Sequence, residues 1–237
     1  MATPVVRFPI FAVVRILGVA LAALVLIWNV HFRGGLALVS DDRNQIFNVH
    51  PVVLVIGLVV LNGEAMLAYK TLSGTKNFKK LVHLSLQLLV FFLSIIGVVV
   101  VWKNRIERRK ENFYSLHSWL GLLSLFLFGI QWTLGFLTFC YPGGSRNGRA
   151  SLLPWHGYLG HYIYGLSVIT CATGFLERAT SLQTHQIISR YSTEAILINS
   201  MGVLTVVLAG LVILGLVSPV YRYGDKLNGT GKPVFEV

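Results

Sequence analysis

Six apolar runs alternate with short polar stretches along the chain, at residues 10–30, 50–69, 81–102, 116–141, 154–176 and 195–217. Each is about 20 residues long, the length at which a helix rising about 1.5 Å per residue crosses a hydrocarbon core of about 30 Å. The pattern predicts an all-α membrane protein with six transmembrane helices. Two runs, "VVLVIGLVVL" and "IIGVVVVW", are rich in β-branched residues. They are read as helix all the same, because only a helix closes its own backbone hydrogen bonds in lipid. The first run exceeds the core of a signal peptide, and "LAALVLIWNVHF" offers no convincing cleavage site, so it is read as retained. Connections are short and no linker marks a second domain. Residues 1–237 read as one transmembrane domain, with a core at about 10–218 and a loose polar tail at 219–237.

Charge adds an orientation. Only 12% of the 237 residues are charged, too few for a soluble surface, yet the formal net charge is +11. An even number of spans puts both termini on one membrane face, the terminus face. That face carries eleven basic residues: Arg7, Arg15, Lys70, Lys76, Lys79, Lys80, Arg146, Arg149, Arg222, Lys226 and Lys232. The opposite face carries nine, five of them in "KNRIERRKE". The bias leans toward cytoplasmic termini. The excess charge is the ordinary basic flanking of membrane spans, and nothing resembles a nucleic-acid module. Cys140 and Cys171 lie at depths roughly 20 Å apart, too far for a disulfide, and read as packing residues. The absence of C-x-x-C-H removes any signal for c-type haem attachment.

The candidate chemistry lies in the histidines. His50 opens span two, His83 span three, His117 span four and His156 span five. Consecutive spans run in opposite directions, so His83 and His156 share the terminus face while His50 and His117 share the other. Two imidazoles on different helices at one depth suit the two axial positions of a haem iron, and such an iron exchanges electrons without an open position. Two haems so placed would lie about 20 Å apart in a core of about 30 Å. A single histidine at a helix end is ordinarily an interfacial residue; four alternating strictly between faces are harder to assign to chance. Zinc is an alternative on one side, where His31, His50, His117 and His185 could converge. His161 follows His156 by five residues, about 140° around the helix, and reads as a packing residue.

The stretches "NVHP" at His50, "KKLVHLSLQ" at His83, "FYSLHSWLG" at His117 and "YPGGSR…PWH" at His156 resemble cytochrome b561, most closely its plant members. The similarity covers spans one to six, and "SLHSW" is a specific family motif. The resemblance implies a homodimer in which spans two to five form a four-helix core around two haem b groups. Their ligands would be His83 and His156 on the cytoplasmic side, and His50 and His117 on the other. It implies cytoplasmic termini, a vacuolar (tonoplast) or other endomembrane location, and ascorbate-dependent reduction of monodehydroascorbate or ferric chelates across the membrane.

Ascorbate is an anion, so its pocket should carry positive charge. Lys76, Lys79, Lys80 and His83 form one helical stripe. Lys76, Lys80 and Arg149 are read as binding cytoplasmic ascorbate, with Lys80 nearest the cofactor edge. Lys79 reads as a flanking cation facing anionic lipid, an alternative open to the whole group. On the other face Tyr114, one turn before His117, could share a proton with a bound enediol, or serve as an interfacial belt residue. Arg105 ends span three beside it, where plant relatives commonly carry a histidine; it can clamp an anion but hardly act as a base. Glu64, 14 residues past His50, falls on the same α-helical face, to orient a ligand, pass a proton or snorkel to the cytoplasmic edge. Gln87, Gln131 and Glu177 are equally open. A transporter using Glu64, Gln131 and Glu177 is the remaining alternative, although no paired repeat of broken helices is visible.

Overall fold

The computed structural model describes residue 6, residues 8–109 and residues 111–219. Six helices long and apolar enough to cross a membrane run through them: α1 (Ile10–Phe32), α2 (Arg43–Thr71), α3 (Lys76–Glu107), α4 (Leu116–Phe139), α5 (Arg146–Thr184) and α6 (Thr193–Val217). No strand occurs among the described residues. Past Pro219, the tail read as loose lies outside the described residues, as do Arg7, Lys110, Arg222, Lys226 and Lys232.

Helices α2, α3 and α5 start well before their apolar runs, because capping residues sit out in the polar flanks. The Asp42 side chain accepts from the Asn44 N–H, Thr75 from Phe78 and Ser145 from Gly148, each cap worth about 1 kcal/mol. His50, His83 and His156 therefore do not open their helices. They lie about two turns or more inside them, and only His117 stands in a first turn, behind the Ser115 cap.

Two helices are not α throughout. The end of α1 (Trp28–Phe32) and the middle of α2 (Val55–Leu61) are π-helical. The wider turn takes about one extra residue per revolution, so each residue advances less around the axis. Glu64, beyond the π stretch, is thereby rotated off the His50 face and meets Arg15 of α1 at 3.4 Å. The same stretch lets the buried Tyr164 hydroxyl of α5 donate to the Val59 carbonyl at 3.1 Å.

The four histidine-bearing helices, α2 to α5, pack together. Leu54, Leu58, Val90, Phe128 and Ile163 form an apolar cluster about midway along them, and Phe91 stacks on Phe128 at 6.1 Å between centroids. A larger cluster, including Leu21, Trp28, Val59, Tyr164, Met201 and Leu208, joins α1 and α6 to α2 and α5. These two helices therefore buttress one flank of the core. The outward faces of α3 and α4 present Phe92, Val99, Phe126 and Leu134, as lipid-facing surfaces do, with exposed Trp102, Trp119, Trp155 and Tyr158 toward the helix ends.

Candidate cofactor and substrate sites

The alternation of helix direction pairs the histidines as expected. His83 faces His156 with ring centroids 6.3 Å apart, and His50 faces His117 at 6.0 Å. Three of the four rings are fixed by a carbonyl on a neighbouring helix. His50 Nδ1 lies 2.9 Å from the Gly97 oxygen, His83 Nδ1 2.8 Å from Ala65 and His117 Nδ1 2.9 Å from Thr170. A carbonyl only accepts, so in each case Nδ1 carries the proton and Nε2 keeps its lone pair. This is the support a metal-bound imidazole receives.

Haem fits these donors. Metal–nitrogen bonds of about 2.0 Å at both Nε2 atoms, with about 1.1 Å more to each ring centre, separate two axial rings by about 6 Å. Both observed spacings match. Imidazole pairs without a carboxylate or thiolate ligand are the donor set of a bis-histidine haem. A cavity of about 300 Å³ with mostly apolar lining reaches both His50 and His117. The zinc alternative does not fit, since no group of three or more His, Cys, Asp or Glu side chains gathers among the described residues. His31 sits edge-on to Phe32 at 4.9 Å, and His185 bonds back to the Ser181 carbonyl.

Two glycines make room for the rings, a role that the reading of the sequence does not assign them. A Cβ on Gly174 of α5 would lie 2.8 Å from His117 Cε1, and one on Gly135 of α4 would lie 2.9 Å from His156 Cε1. The two helices are antiparallel, so each supplies a histidine near one end and a glycine near the other. A signal was present: glycine follows histidine by 18 residues, about five turns, on both helices. Helices α2 and α3 exchange support in the same way, His50 bonding to α3 and His83 to α2.

At the terminus end the lysine stripe divides. Lys80 Nζ donates to the Phe139 carbonyl at 3.2 Å, and the Phe139 ring packs on His156 at 5.5 Å. Lys79 Nζ turns the other way to the Tyr69 carbonyl at 3.3 Å, with the Tyr69 ring 5.8 Å from His83. Lys76 is exposed, and Arg149, in the first turn of α5, donates to Gly144 of the preceding loop at 2.5 Å. At the opposite end Arg105 and Tyr114 line the His50–His117 cavity. The Arg105 guanidinium lies 5.1 Å from the Tyr114 ring centre and 3.6 Å from Glu177. The other polar residues serve separate partners. Gln87 donates to Asn62 at 3.0 Å, Gln131 to the His156 carbonyl at 2.6 Å, and His161 Nδ1 bonds to Gly157 one turn back at 2.5 Å. Glu64, Gln131 and Glu177 thus share no path. Cys140 and Cys171 are free thiols.

Fold and site together define a six-helix integral membrane protein with a facing imidazole pair toward each end of one bundle. The chain belongs to the eukaryotic cytochrome b561 family, whose model matches residues 49–182. Members of that family bind haem b. It is 64% identical to transmembrane ascorbate ferrireductase 2 of Arabidopsis thaliana, over 93% of this chain and 96% of that protein. It is 41% identical to ascorbate-specific transmembrane electron transporter 1 of Zea mays, over 86% of each. A lysosomal membrane ascorbate-dependent ferrireductase of Danio rerio is 37% identical over 86% of this chain and 84% of its own length.

Proposed function

We propose that this protein transfers electrons from cytoplasmic ascorbate through two b-type haems to monodehydroascorbate or ferric chelates across the membrane. The observation that carries this reading is the pair of imidazole pairs with an apolar cluster between them. His83 and His156 would hold one haem and His50 and His117 the other, with Leu54, Leu58, Val90, Phe128 and Ile163 in between. A haem iron held by both imidazoles of a pair would supply a one-electron centre that needs no ligand exchange. These apolar side chains pass an electron by their proximity to both sites, while the buried polar groups near them are engaged locally, Ser94 and Ser167 with carbonyls of their own helices and Gln87 with Asn62. That property favours a redox wire over a transporter.

On the terminus face Lys76, Lys80 and Arg149 attract the ascorbate anion, Lys80 lying beside the Phe139–His156 contact. On the opposite face Arg105 clamps an anionic substrate, and Tyr114, 62% exposed, shares a proton with it. The relatives' names support ascorbate as donor and ferric iron as an acceptor. Cytoplasmic termini follow from the charge bias, and a vacuolar or other endomembrane location and a homodimer from the plant-type resemblance.

Haem content and difference spectra of purified variants test the assignment. His83→Ala and His156→Ala should each remove one spectral component, and His50→Ala and His117→Ala the other. Folded variants that all keep two haems would overturn it. In vesicles loaded with ascorbate, each variant should also stop reduction of external ferric citrate.

A further inference from the structure

Four arginines converge on the face away from the termini, but only two of them meet a carboxylate. Arg105 pairs with Glu177 at 3.6 Å, and Arg33 pairs with Glu194. Arg108, at the end of α3, donates to the neutral Asn44 side chain at 3.0 Å. Arg178 of α5 lies over the Phe47 ring at 4.8 Å. Neither forms an ion pair among the described residues. The Nε atoms of both are buried without a hydrogen-bond partner. Arg33 and Arg108 act on Arg178 as like charges, and Glu194, already paired with Arg33, offsets them only in part. Two half-buried guanidiniums facing one cavity, neither of them in an ion pair, are an unfavourable arrangement on their own.

Their position names the missing partner. Both line the cavity that reaches His50 and His117. The Phe47 ring under Arg178 packs on His50 at 6.1 Å, so the guanidinium stands one ring away from the imidazole pair. A planar fork of N–H donors matches a carboxylate in two-point contact.

We infer that Arg108 and Arg178 form a carboxylate-binding cradle at the mouth of the His50–His117 cavity. Two sources supply that chemistry: the propionates of the haem proposed there, in which case the inference rests on that reading, or the carboxylates of a chelator carrying ferric iron. Arg105 and Tyr114 then handle the redox substrate, while Arg108 and Arg178 neutralise the carboxylates beside it.

The test uses the purified holoprotein and its Arg108→Gln, Arg178→Gln and double variants, with Arg178→Lys keeping the charge. Haem release is followed into excess apomyoglobin, and binding of gallium(III) citrate, a redox-inert stand-in for the ferric chelate, by equilibrium dialysis. If propionates occupy the cradle, the double variant releases one of its two haems about tenfold faster, the other at the wild-type rate, and Arg178→Lys less so. If a chelate occupies it, haem release is unchanged, while gallium citrate binds the wild type and is about tenfold weaker in the double variant. Unchanged release with no citrate binding overturns the cradle. So does equal acceleration of both haems, which reports general loosening. Protein that purifies without haem at this site defeats the haem reading instead, and the citrate arm still decides the cradle.

Discussion

Arg105 holds three groups at once: Glu177 at 3.6 Å, the Glu111 carbonyl at 2.9 Å and the Tyr114 ring at 5.1 Å. A guanidinium stays protonated at any working pH, so it fixes an anion without accepting the proton that ascorbate releases on oxidation. Replacing it by histidine supplies a base that titrates near pH 6.5, neutral above that value and cationic below. Arg105→His should therefore accelerate electron exchange with ascorbate on that face as pH rises through about 6.5. Binding of the anion should weaken over the same range. Arg105→Ala should raise KM without the new titration. Stopped-flow rates from pH 5 to 8 decide; a profile identical to wild type would mean that the proton leaves by another group.

At the scale of elements, the antiparallel α4–α5 hairpin positions one histidine of each pair by the same device used twice. The neighbouring helix must approach an imidazole more closely than any Cβ allows, at Gly174 for His117 and at Gly135 for His156. Gly174→Ala should displace His117, and Gly135→Ala should displace His156, each at a cost of about 1–3 kcal/mol for overpacking. Haem stoichiometry and low-spin electron paramagnetic resonance should report loss or distortion of one site only, a different one for each variant. Gly157→Ala is the control, since its Cβ meets nothing within 4 Å. An effect spread equally over both sites would mean that the glycines serve the bundle as a whole.

Across the whole molecule, α1 and α6, which brace the histidine-bearing helices by apolar packing, are tied to each other by an ionic contact. Glu194, 5% exposed in the first turn of α6, accepts from Trp28 Nε1 at 2.8 Å and from Arg33 just past α1. Losing one partner of such a pair leaves a buried charge uncompensated, typically at about 3–5 kcal/mol. Glu194→Gln should lower the thermal midpoint in detergent by several degrees, and adding Arg33→Met should recover part of the loss. Haem spectra of the folded fraction should be unchanged, because the contact lies on the buttress and not at a ligand. A double variant no more stable than Glu194→Gln alone would show that the two charges are not coupled.

Span number, helix direction and the membrane face shared by His50 with His117 and by His83 with His156 were all determined by the sequence. Each follows from local hydropathy and from the parity of crossings, which lipid enforces without reference to neighbouring helices. The approximate placement of Lys80 and Arg105 followed in the same way. Relations between helices did not. Lys79 and Lys80, adjacent on one stripe, turn to α2 and α4 respectively, and Glu64 meets α1 because a π stretch altered the rotation of α2. The carbonyls of Gly97, Ala65 and Thr170, the gaps at Gly135 and Gly174, and the convergence of Arg108 with Arg178 belong to the tertiary structure alone. The reason is geometric. Depth accumulates along one helix, whereas the facing of two side chains depends on the rotation and register of two helices, which packing over their whole length sets.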